Sequence, residues 1–204
     1  MRTPEYTVFD DVQHTPWECV RGMDHSFGYN RASTEEHFIP ARELLWSLVD
    51  ITAKGGNLLL NVGPRGVDAQ IAEEQLTRLD WLAGFTDEVG DALMATRPWV
   101  HPAGGAGDIE IRYTARDRDV FAIARLATTP TVGRVGPTTL VLHEVQATAR
   151  STVTTLDGRR LQAEPRPVGL HVELPAPLDS TRPSVVVLRD VDAGSGAQRA
   201  PTSH

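Results

Sequence analysis

Apolar residues in the first half of the chain follow the spacing of amphipathic helices around one continuous apolar run. Over residues 36–54 they recur every three or four positions, which predicts a helix with one buried face. Its inward residues are Leu44, Leu45, Leu48, Val49 and Thr52. Pro40 suits the first turn, where its missing N–H costs no hydrogen bond. Gly55 and Gly56 end the helix, because glycine adopts the left-handed conformation without a clash.

The apolar run at residues 57–62 contains three consecutive leucines and predicts a strand buried on both faces. Residues 63–66 break this run, and a second helix is predicted over residues 72–85. Its inward residues are Leu76, Leu79, Leu82 and Ala83. A further short strand is predicted at residues 17–20. Strands that alternate with amphipathic helices indicate a parallel sheet, either open or closed into a barrel.

After residue 98 the pattern changes to short strands separated by turn residues. Asp157 and Gly158 form a hairpin turn of the type that favours positive φ. The predicted strands are residues 108–113, 120–126, 139–143, 152–156, 159–161, 170–174 and 184–188. Six or seven short strands of this kind are typical of an antiparallel sandwich.

These two patterns divide the chain into three parts. Residues 1–98 form an α/β part, residues 99–191 an all-β part, and residues 192–204 a tail rich in Gly, Ser, Ala, Pro and Thr that is predicted to be disordered. The expected fold class is therefore α/β plus all-β.

Composition and charge exclude several classes of protein. The 204 residues carry a net charge of −7, which argues against a nucleic-acid partner. No apolar run approaches the ~20 residues that span a bilayer, so no membrane partner is expected. The single cysteine, Cys19, excludes an internal disulfide and a Cys-ligated zinc site, and the seven histidines lack metal-site spacing. Residues 1–12 lack the apolar core of a signal peptide, which slightly favours the cytoplasm and otherwise leaves the compartment open.

The segment over residues 17–37 combines aromatic, arginine and carboxylate side chains in a loop-rich region after a strand. Aromatic faces stack on the C–H surfaces of sugars, and charged groups hold their hydroxyls, so this composition is typical of a sugar site. The same composition also describes a surface loop anchored by its aromatic residues.

Several short motifs resemble one known family and occur in its order, at close to its spacing. They are Thr3-Pro4-Glu5-Tyr6, Trp17-Glu18, Arg21-Gly22, Ser26-Phe27-Gly28-Tyr29-Asn30-Arg31, residues 54–64 (KGGNLLLNVGP) and Thr96-Arg97-Pro98-Trp99. The chain resembles the family 29 glycoside hydrolases, which are retaining α-L-fucosidases. The string at residues 54–64 is the most specific of these motifs.

The resemblance implies a catalytic (β/α)8-like barrel followed by a β-sandwich, with residues 1–98 forming the last part of that barrel. It also implies that the nucleophilic aspartate and the histidines and tryptophan that grip fucose lie upstream of residue 1. We therefore expect the chain to be the C-terminal part of a fucosidase and to be inactive alone. The family needs no metal or organic cofactor, and its substrates are fucosylated oligosaccharides or glycoconjugates.

Two positions are implied to bind substrate. Arg21 matches an arginine that reaches into the fucose pocket, where a guanidinium can hold two oxygens at once. A structural salt bridge is the alternative role for this residue. Leu58 matches an apolar residue near the methyl group of the sugar, and its alternative role is ordinary core packing.

The acid/base position departs from the family pattern. In relatives of this type the resemblance places a glutamate two residues after the Tyr-Asn-Arg arginine, where this chain has Ser33. A serine cannot protonate a leaving group at neutral pH as a carboxylic acid does. Glu35 is the first local candidate to replace it and Glu36 the second, unless the acid/base comes from elsewhere. We interpret Glu18 as the structural partner of an arginine.

A second hypothesis comes from a different class of protein. The chain could be a stable non-catalytic module that binds carbohydrate or another subunit, including a copy of itself in a homo-oligomer. That hypothesis predicts exposed aromatic residues on one face of the sandwich. Beyond Trp99, the all-β part has only Tyr113 and Phe121, and both alternate as core residues, which favours the fucosidase.

Overall fold

The computed structural model describes residues 2–128 and 136–194, which fold into two helices and ten strands. The helices are α1 (Ala41–Ala53) and α2 (Glu73–Leu93), and a short 3-10 helix covers Glu35–His37. The strands are β1 (Trp17–Arg21), β2 (Gly56–Leu60), β3 (Arg97–Ala106), β4 (Ile109–Arg116), β5 (Asp119–Leu126), β6 (Thr138–Leu142), β7 (Val145–Thr154), β8 (Gln162–Arg166), β9 (Gly169–Leu174) and β10 (Ser184–Ala193).

Strands β1 and β2 pair in parallel, as the alternation of strands and helices predicts. The N-terminal segment adds to this sheet, because bridges join Arg2 to Trp17 and Glu5 to Val20, both in parallel. Three chain segments therefore run side by side in one direction. Within the described residues these segments form no closed barrel.

Helix α1 begins five residues later than predicted. Pro40 has extended backbone angles and occupies the N-cap position, so the helix starts at Ala41. The preceding residues are held elsewhere, since the Ile39 amide donates to the Met23 carbonyl at 2.8 Å. The predicted end is confirmed: the helix stops at Ala53, and Gly55 follows with a φ of 80°.

The prediction that the leucine run is buried on both faces is wrong. Leu58 packs on one side with Trp17, Cys19 and Ile51, whereas Leu59 is 40% exposed on the other side. Leu58 and Leu59 differ because helix α1 covers one face of the two-stranded sheet, whereas no described residues cover the other face.

Helix α2 extends eight residues beyond the predicted end and buries a different face. Leu76 is 43% exposed and Ala83 is also exposed, while Gln75 and Arg78 are buried. Leu79 and Leu82 are half-buried. The periodicity was outweighed by polar contacts, since both buried side chains hold neighbouring loops through hydrogen bonds.

The all-β part forms two antiparallel sheets. One has the strand order β3-β4-β5-β10-β7 and the other the order β6-β9-β8. Side chains of both sheets meet in one core, including Ile111, Tyr113, Leu140 and Val172. The predicted turn at Gly158 is confirmed by its φ of 84°. The sequence analysis missed β3 and β8, because Pro and Gly interrupt β3 and all of β8 is exposed.

The helices share a second core with the larger sheet. Trp46, Val49 and Phe85 of the helices pack against Phe121 and Ile123 of β5. The proposed boundary between residues 98 and 99 lies inside β3, and this core crosses it.

At the other end β10 continues to Ala193, two residues into the predicted tail, and residues 195–204 of that tail lie outside the described residues. No helix among residues 2–128 and 136–194 is long and apolar enough to cross a membrane.

Candidate functional site

The carboxyl ends of the three parallel segments meet at one edge and define the candidate site. Glu5 is at the end of the first segment, Arg21 ends β1, and Asn61 follows β2. The Asn61 amide donates to the Arg21 carbonyl at 2.8 Å, so the strand ends are in register. Parallel β/α proteins place their binding loops at this edge, because the connections after the strands open there.

Arg21 is half-buried and faces helix α1. Its Nη1 donates to Ser47 Oγ at 3.3 Å, and its guanidinium lies 5.7 Å from the centre of the Tyr6 ring. Burial lowers the pKa of Arg21 from its ordinary value, and the nearby Cys19 and Tyr6 groups oppose that shift. No ion pair involves Arg21 within the described ranges, so a structural salt bridge does not account for it there.

The loop after β1 is held by a compact set of polar contacts. The Gly22 amide donates to the Tyr6 hydroxyl at 3.0 Å. Asp24 accepts from the Ser26 amide at 2.9 Å and from Ser33 Oγ at 2.6 Å. Ser33, at the expected acid/base position, therefore closes the loop onto Asp24.

The loop after β2 rests directly on the loop after β1. Asn61 Nδ2 donates to the Phe27 carbonyl. Gly63 lies so close to the backbone at Gly28 and Tyr29 that a Cβ at this position would overlap it. Gln75 of α2 then clamps Gly63, accepting from its amide at 2.9 Å and donating to its carbonyl at 3.1 Å. The glycine in the most specific motif is therefore required for the two loops to approach.

Glu35 is engaged in an ion pair. Both guanidinium ends of Arg78 donate to its carboxylate, at 2.6 and 2.9 Å, and Arg78 lies between the rings of Phe38 and Trp81 at 5.1 and 4.7 Å. The hydrogen bonds from Arg78 hold the pKa of the Glu35 carboxyl below its ordinary value. A carboxyl group held in this way is ionised at neutral pH, which does not suit a general acid. Glu36 is exposed and accepts from Thr34 Oγ1 at 3.2 Å.

Leu58 and Glu18 lie on opposite faces of the two-stranded sheet. Leu58 packs against Trp17 and Cys19 on the helix side, which matches its alternative role in the core. Glu18 is paired in register with Asn57 on the open face. The expectation that Glu18 pairs with an arginine is wrong for the described part of the chain, where no ion pair involves it, because its strand turns it away from helix α1.

Glu5 is the site residue that the sequence analysis missed. It lies within the Thr3-Pro4-Glu5-Tyr6 motif, to which no role was attached. Its backbone pairs with Val20, one residue before Arg21, and its side chain is exposed. No ion pair holds its carboxylate within the described ranges. Only the parallel pairing of this segment with β1 brings the two residues to one edge, so the chain order alone gave no signal.

The edge therefore carries Glu5 in register with Val20 of the open face, and Arg21 with aromatic rings on the face toward helix α1. Tyr6 and Phe27 contact each other with ring centres 5.3 Å apart, beside Arg21. Such a set can contact the C–H faces of a sugar and hydrogen-bond its hydroxyls.

Comparison with solved structures defines the class of protein. The fold matches the *Thermotoga maritima* α-fucosidase, solved with a mechanism-based inhibitor, with a TM-score of 0.77 and 33% identity over 92% of this chain and 42% of that chain. The chain thus has the β-rich fold of a glycosidase of this type.

Sequence comparison also finds similarity to α-L-fucosidases. A model described as α-L-fucosidase matches residues 1–91. The α-L-fucosidase of *Branchiostoma floridae* is 32% identical over 55% of this chain and 25% of its own length. The tissue α-L-fucosidase of *Rattus norvegicus* is 32% identical over 52% of this chain and 23% of its own length. Over residues 1–91 the chain is therefore similar to the α-L-fucosidases, glycoside hydrolase family 29, and it spans about a quarter of the length of these curated relatives.

Proposed function

We propose that this chain is the C-terminal part of a retaining α-L-fucosidase that hydrolyses α-L-fucosyl linkages of glycans or glycoconjugates. The observation that carries the proposal is the match of residues 1–91 to the family, together with the carboxyl edge that presents Glu5 and Arg21. In this proposal the parallel segments are the last part of a (β/α)8-like barrel, and the two antiparallel sheets are its C-terminal sandwich.

The open face of the parallel sheet supports the barrel assignment. Glu18, Val20, Asn57 and Leu59 share this face by strand register, and Leu59 is 40% exposed. A parallel sheet is normally covered on both faces. Earlier strands of a barrel would cover this face, and the chain alone would then lack the nucleophile and hydrolyse nothing.

The proposed reaction is a double displacement. A carboxylate from the missing part of the barrel attacks the anomeric carbon while a general acid protonates the departing glycosidic oxygen. The same acid, now a carboxylate, then takes a proton from water, which attacks the anomeric carbon and releases fucose. In retaining glycosidases the two carboxyl groups lie about 5 Å apart.

Glu5 is the acid/base that the geometry supports best. Its side chain is exposed at the carboxyl edge, and no ion pair holds it among the described residues. Glu35 and Glu36 are the alternatives, and Glu35 is already committed to Arg78. Arg21 now bonds to Ser47 of helix α1, and it would hydrogen-bond substrate oxygens only if its side chain turned toward the open face. Leu58 would contact the sugar only if the sheet repacked, since it now faces helix α1.

The experiment restores a complete barrel. Residues 1–204 replace the matching C-terminal part of the *Thermotoga maritima* α-fucosidase, and hydrolysis of 4-nitrophenyl α-L-fucoside is measured for this hybrid and for the chain alone. We expect turnover by the hybrid and none by the chain alone. A folded hybrid without turnover would contradict the proposed function.

Matched variants of the hybrid identify the acid/base. Glu5→Gln should slow natural fucosides far more than aryl fucosides with acidic phenols, because a good leaving group needs little protonation. Azide should restore part of the rate, since it attacks the fucosyl intermediate without a base. Glu35→Gln and Glu36→Gln are the controls and should keep the parent ratio of the two substrates. The reverse pattern would assign the role to one of them.

A further inference from the structure

Tyr6 has a strained backbone directly beside the proposed acid/base. Its φ is 52°, in the left-handed region that bulky side chains rarely adopt. Strain of this kind persists only where the surrounding structure holds the residue in place, and it is concentrated at functional sites. Tyr6 follows Glu5 in the chain, so the strain is located at the carboxyl edge of the parallel segments.

The backbone on either side of Glu5 is hydrogen-bonded to strand β1. The Tyr6 amide donates to the Val20 carbonyl at 3.0 Å, and the Val20 amide donates to the Pro4 carbonyl at 3.0 Å. Glu5 lies between these two hydrogen bonds, and the chain bends at Tyr6. Movement at this bend therefore displaces Glu5, because the two residues share a peptide bond.

The side chain of Tyr6 fastens the bend to the loop after β1. Its hydroxyl accepts from the Gly22 amide at 3.0 Å and donates to the Asp24 carbonyl at 3.4 Å. A Cβ at Gly22 would lie 2.8 Å from the Tyr6 hydroxyl and would overlap the Ser26 carbonyl oxygen, so the glycine permits this close approach. One hydroxyl thus joins the end of the first segment to the loop that follows β1.

Burial in a core does not account for the strained conformation of Tyr6. The residue is 44% exposed. Its ring contacts Phe27, with ring centres 5.3 Å apart, and its ring centre lies 5.7 Å from the Arg21 guanidinium. The contacts of Tyr6 are therefore with the residues of the candidate site.

We propose that Tyr6 is a positioning residue of the candidate active site, whose hydroxyl holds Glu5 and the loop after β1 in one fixed arrangement. The proposal rests on the proposed function, because it requires Glu5 to act as the acid/base. Misplacement of a catalytic group by about 1 Å can cost about 100-fold in rate. Removal of the hydroxyl alone leaves the ring and the backbone hydrogen bonds in place, so the expected loss is smaller, about tenfold.

The first test is Tyr6→Phe in the hybrid enzyme. A loosely held acid protonates a poor leaving group less well, so kcat/KM for natural fucosides should fall about tenfold, while kcat/KM for aryl fucosides with acidic phenols should change less than about twofold. In the Glu5→Gln background, Tyr6→Phe should have no further effect on the ratio of the two substrates. An unchanged ratio in Tyr6→Phe would overturn the proposal.

Tyr113→Phe is the matched control, because it removes a tyrosine hydroxyl from the core of the all-β part. Tyr113 is buried there and donates to Glu144 Oε2 at 3.0 Å. This variant should lower the Tm of the hybrid, since the buried carboxylate loses a donor, and should leave the ratio of the two substrates at the parent value. A changed ratio in Tyr113→Phe would show that the ratio follows stability, which would also overturn the proposal.

A second measurement uses the 204-residue chain and does not depend on activity. Amide hydrogen exchange, followed by two-dimensional NMR, should be about tenfold faster at Gly22 in Tyr6→Phe than in the parent, because the acceptor of that amide is gone. The Gln13 amide, which donates to the Lys54 carbonyl at 3.1 Å, should keep its rate. Equal exchange at Gly22 in the two proteins would contradict the positioning role alone, whereas a folded hybrid without turnover would contradict the proposed function.

Discussion

Replacement of Arg78 by alanine tests the polar anchor that fixes the loop after β1. Arg78 is 1% exposed on helix α2 and uses every side of its guanidinium. It donates to both oxygens of Glu35, and its Nε donates to the Ile39 carbonyl at 3.1 Å. Its guanidinium also lies 5.1 Å from the centre of the Phe38 ring and 4.7 Å from the centre of the Trp81 ring.

The contacts set the size of the effect. The Ile39 carbonyl loses its partner, which costs about 1 kcal/mol. Loss of the two ring contacts costs about 0.5–1 kcal/mol each, and loss of the buried aliphatic stem costs about 1 kcal/mol. Glu35 is 68% exposed, so its pairing is partly screened and adds less than about 1 kcal/mol. Arg78→Ala should therefore lower the free energy of unfolding by about 3–5 kcal/mol.

Urea and thermal denaturation followed by circular dichroism measure this loss. For a chain of this length it corresponds to a fall in Tm of about 6–20 °C. Arg182→Ala is the matched control, because Arg182 pairs with Glu88 at 2.7 Å with both side chains half exposed. That variant should lose less than about 0.5 kcal/mol. Equal losses for the two variants would refute the argument that burial makes Arg78 an anchor.

The same ion pair predicts a pH dependence. The pKa of Glu35 is lowered from its ordinary value of 4.5 in the folded state. Its contribution to stability is therefore present above that ordinary value and is lost as the pH falls through the folded value. In Glu35→Gln the part of the acid-induced loss of stability that comes from this ion pair should disappear. Above pH 7 the difference in the free energy of unfolding between the variant and the parent should not depend on pH. Urea titrations at several pH values would show an unaltered acid profile if the pairing were absent.

Three further predictions concern the packing around the site. Gln75→Ala should cost about 2 kcal/mol in urea denaturation, because two backbone groups of the loop after β2 lose a buried partner. Asp50→Asn should lower Tm more than a surface charge change, since Asp50 bridges Lys54, which follows helix α1, and Arg112 of strand β4. Leu58→Ala should cost more than Leu59→Ala in the isolated chain, and the opposite order would show that the open face is buried in solution.

The sequence alone determined several local elements and the resemblance to the α-L-fucosidases. The end of helix α1 followed from Gly55, the hairpin turn from Gly158, and the parallel pairing from the alternation of strands and helices. These features depend on backbone preferences and periodicity, which act within a few residues. The motif at residues 54–64 carried the resemblance, but the requirement for glycine at Gly63 comes from its contact with the loop after β1, which only the structure shows.

Only the tertiary structure decided which side chains form the site. Periodicity placed Leu76 on the buried face of helix α2, yet Leu76 is exposed and Arg78 is buried. Arg78 is turned inward because its partner Glu35 comes from a segment 43 residues away in sequence. Glu5 lies beside Val20, one residue before Arg21, through a strand pairing that no local pattern encodes. Burial and ion pairing depend on which segments meet in space. The sequence by itself therefore could not show that Glu35 is held in an ion pair while Glu5 is exposed at the carboxyl edge.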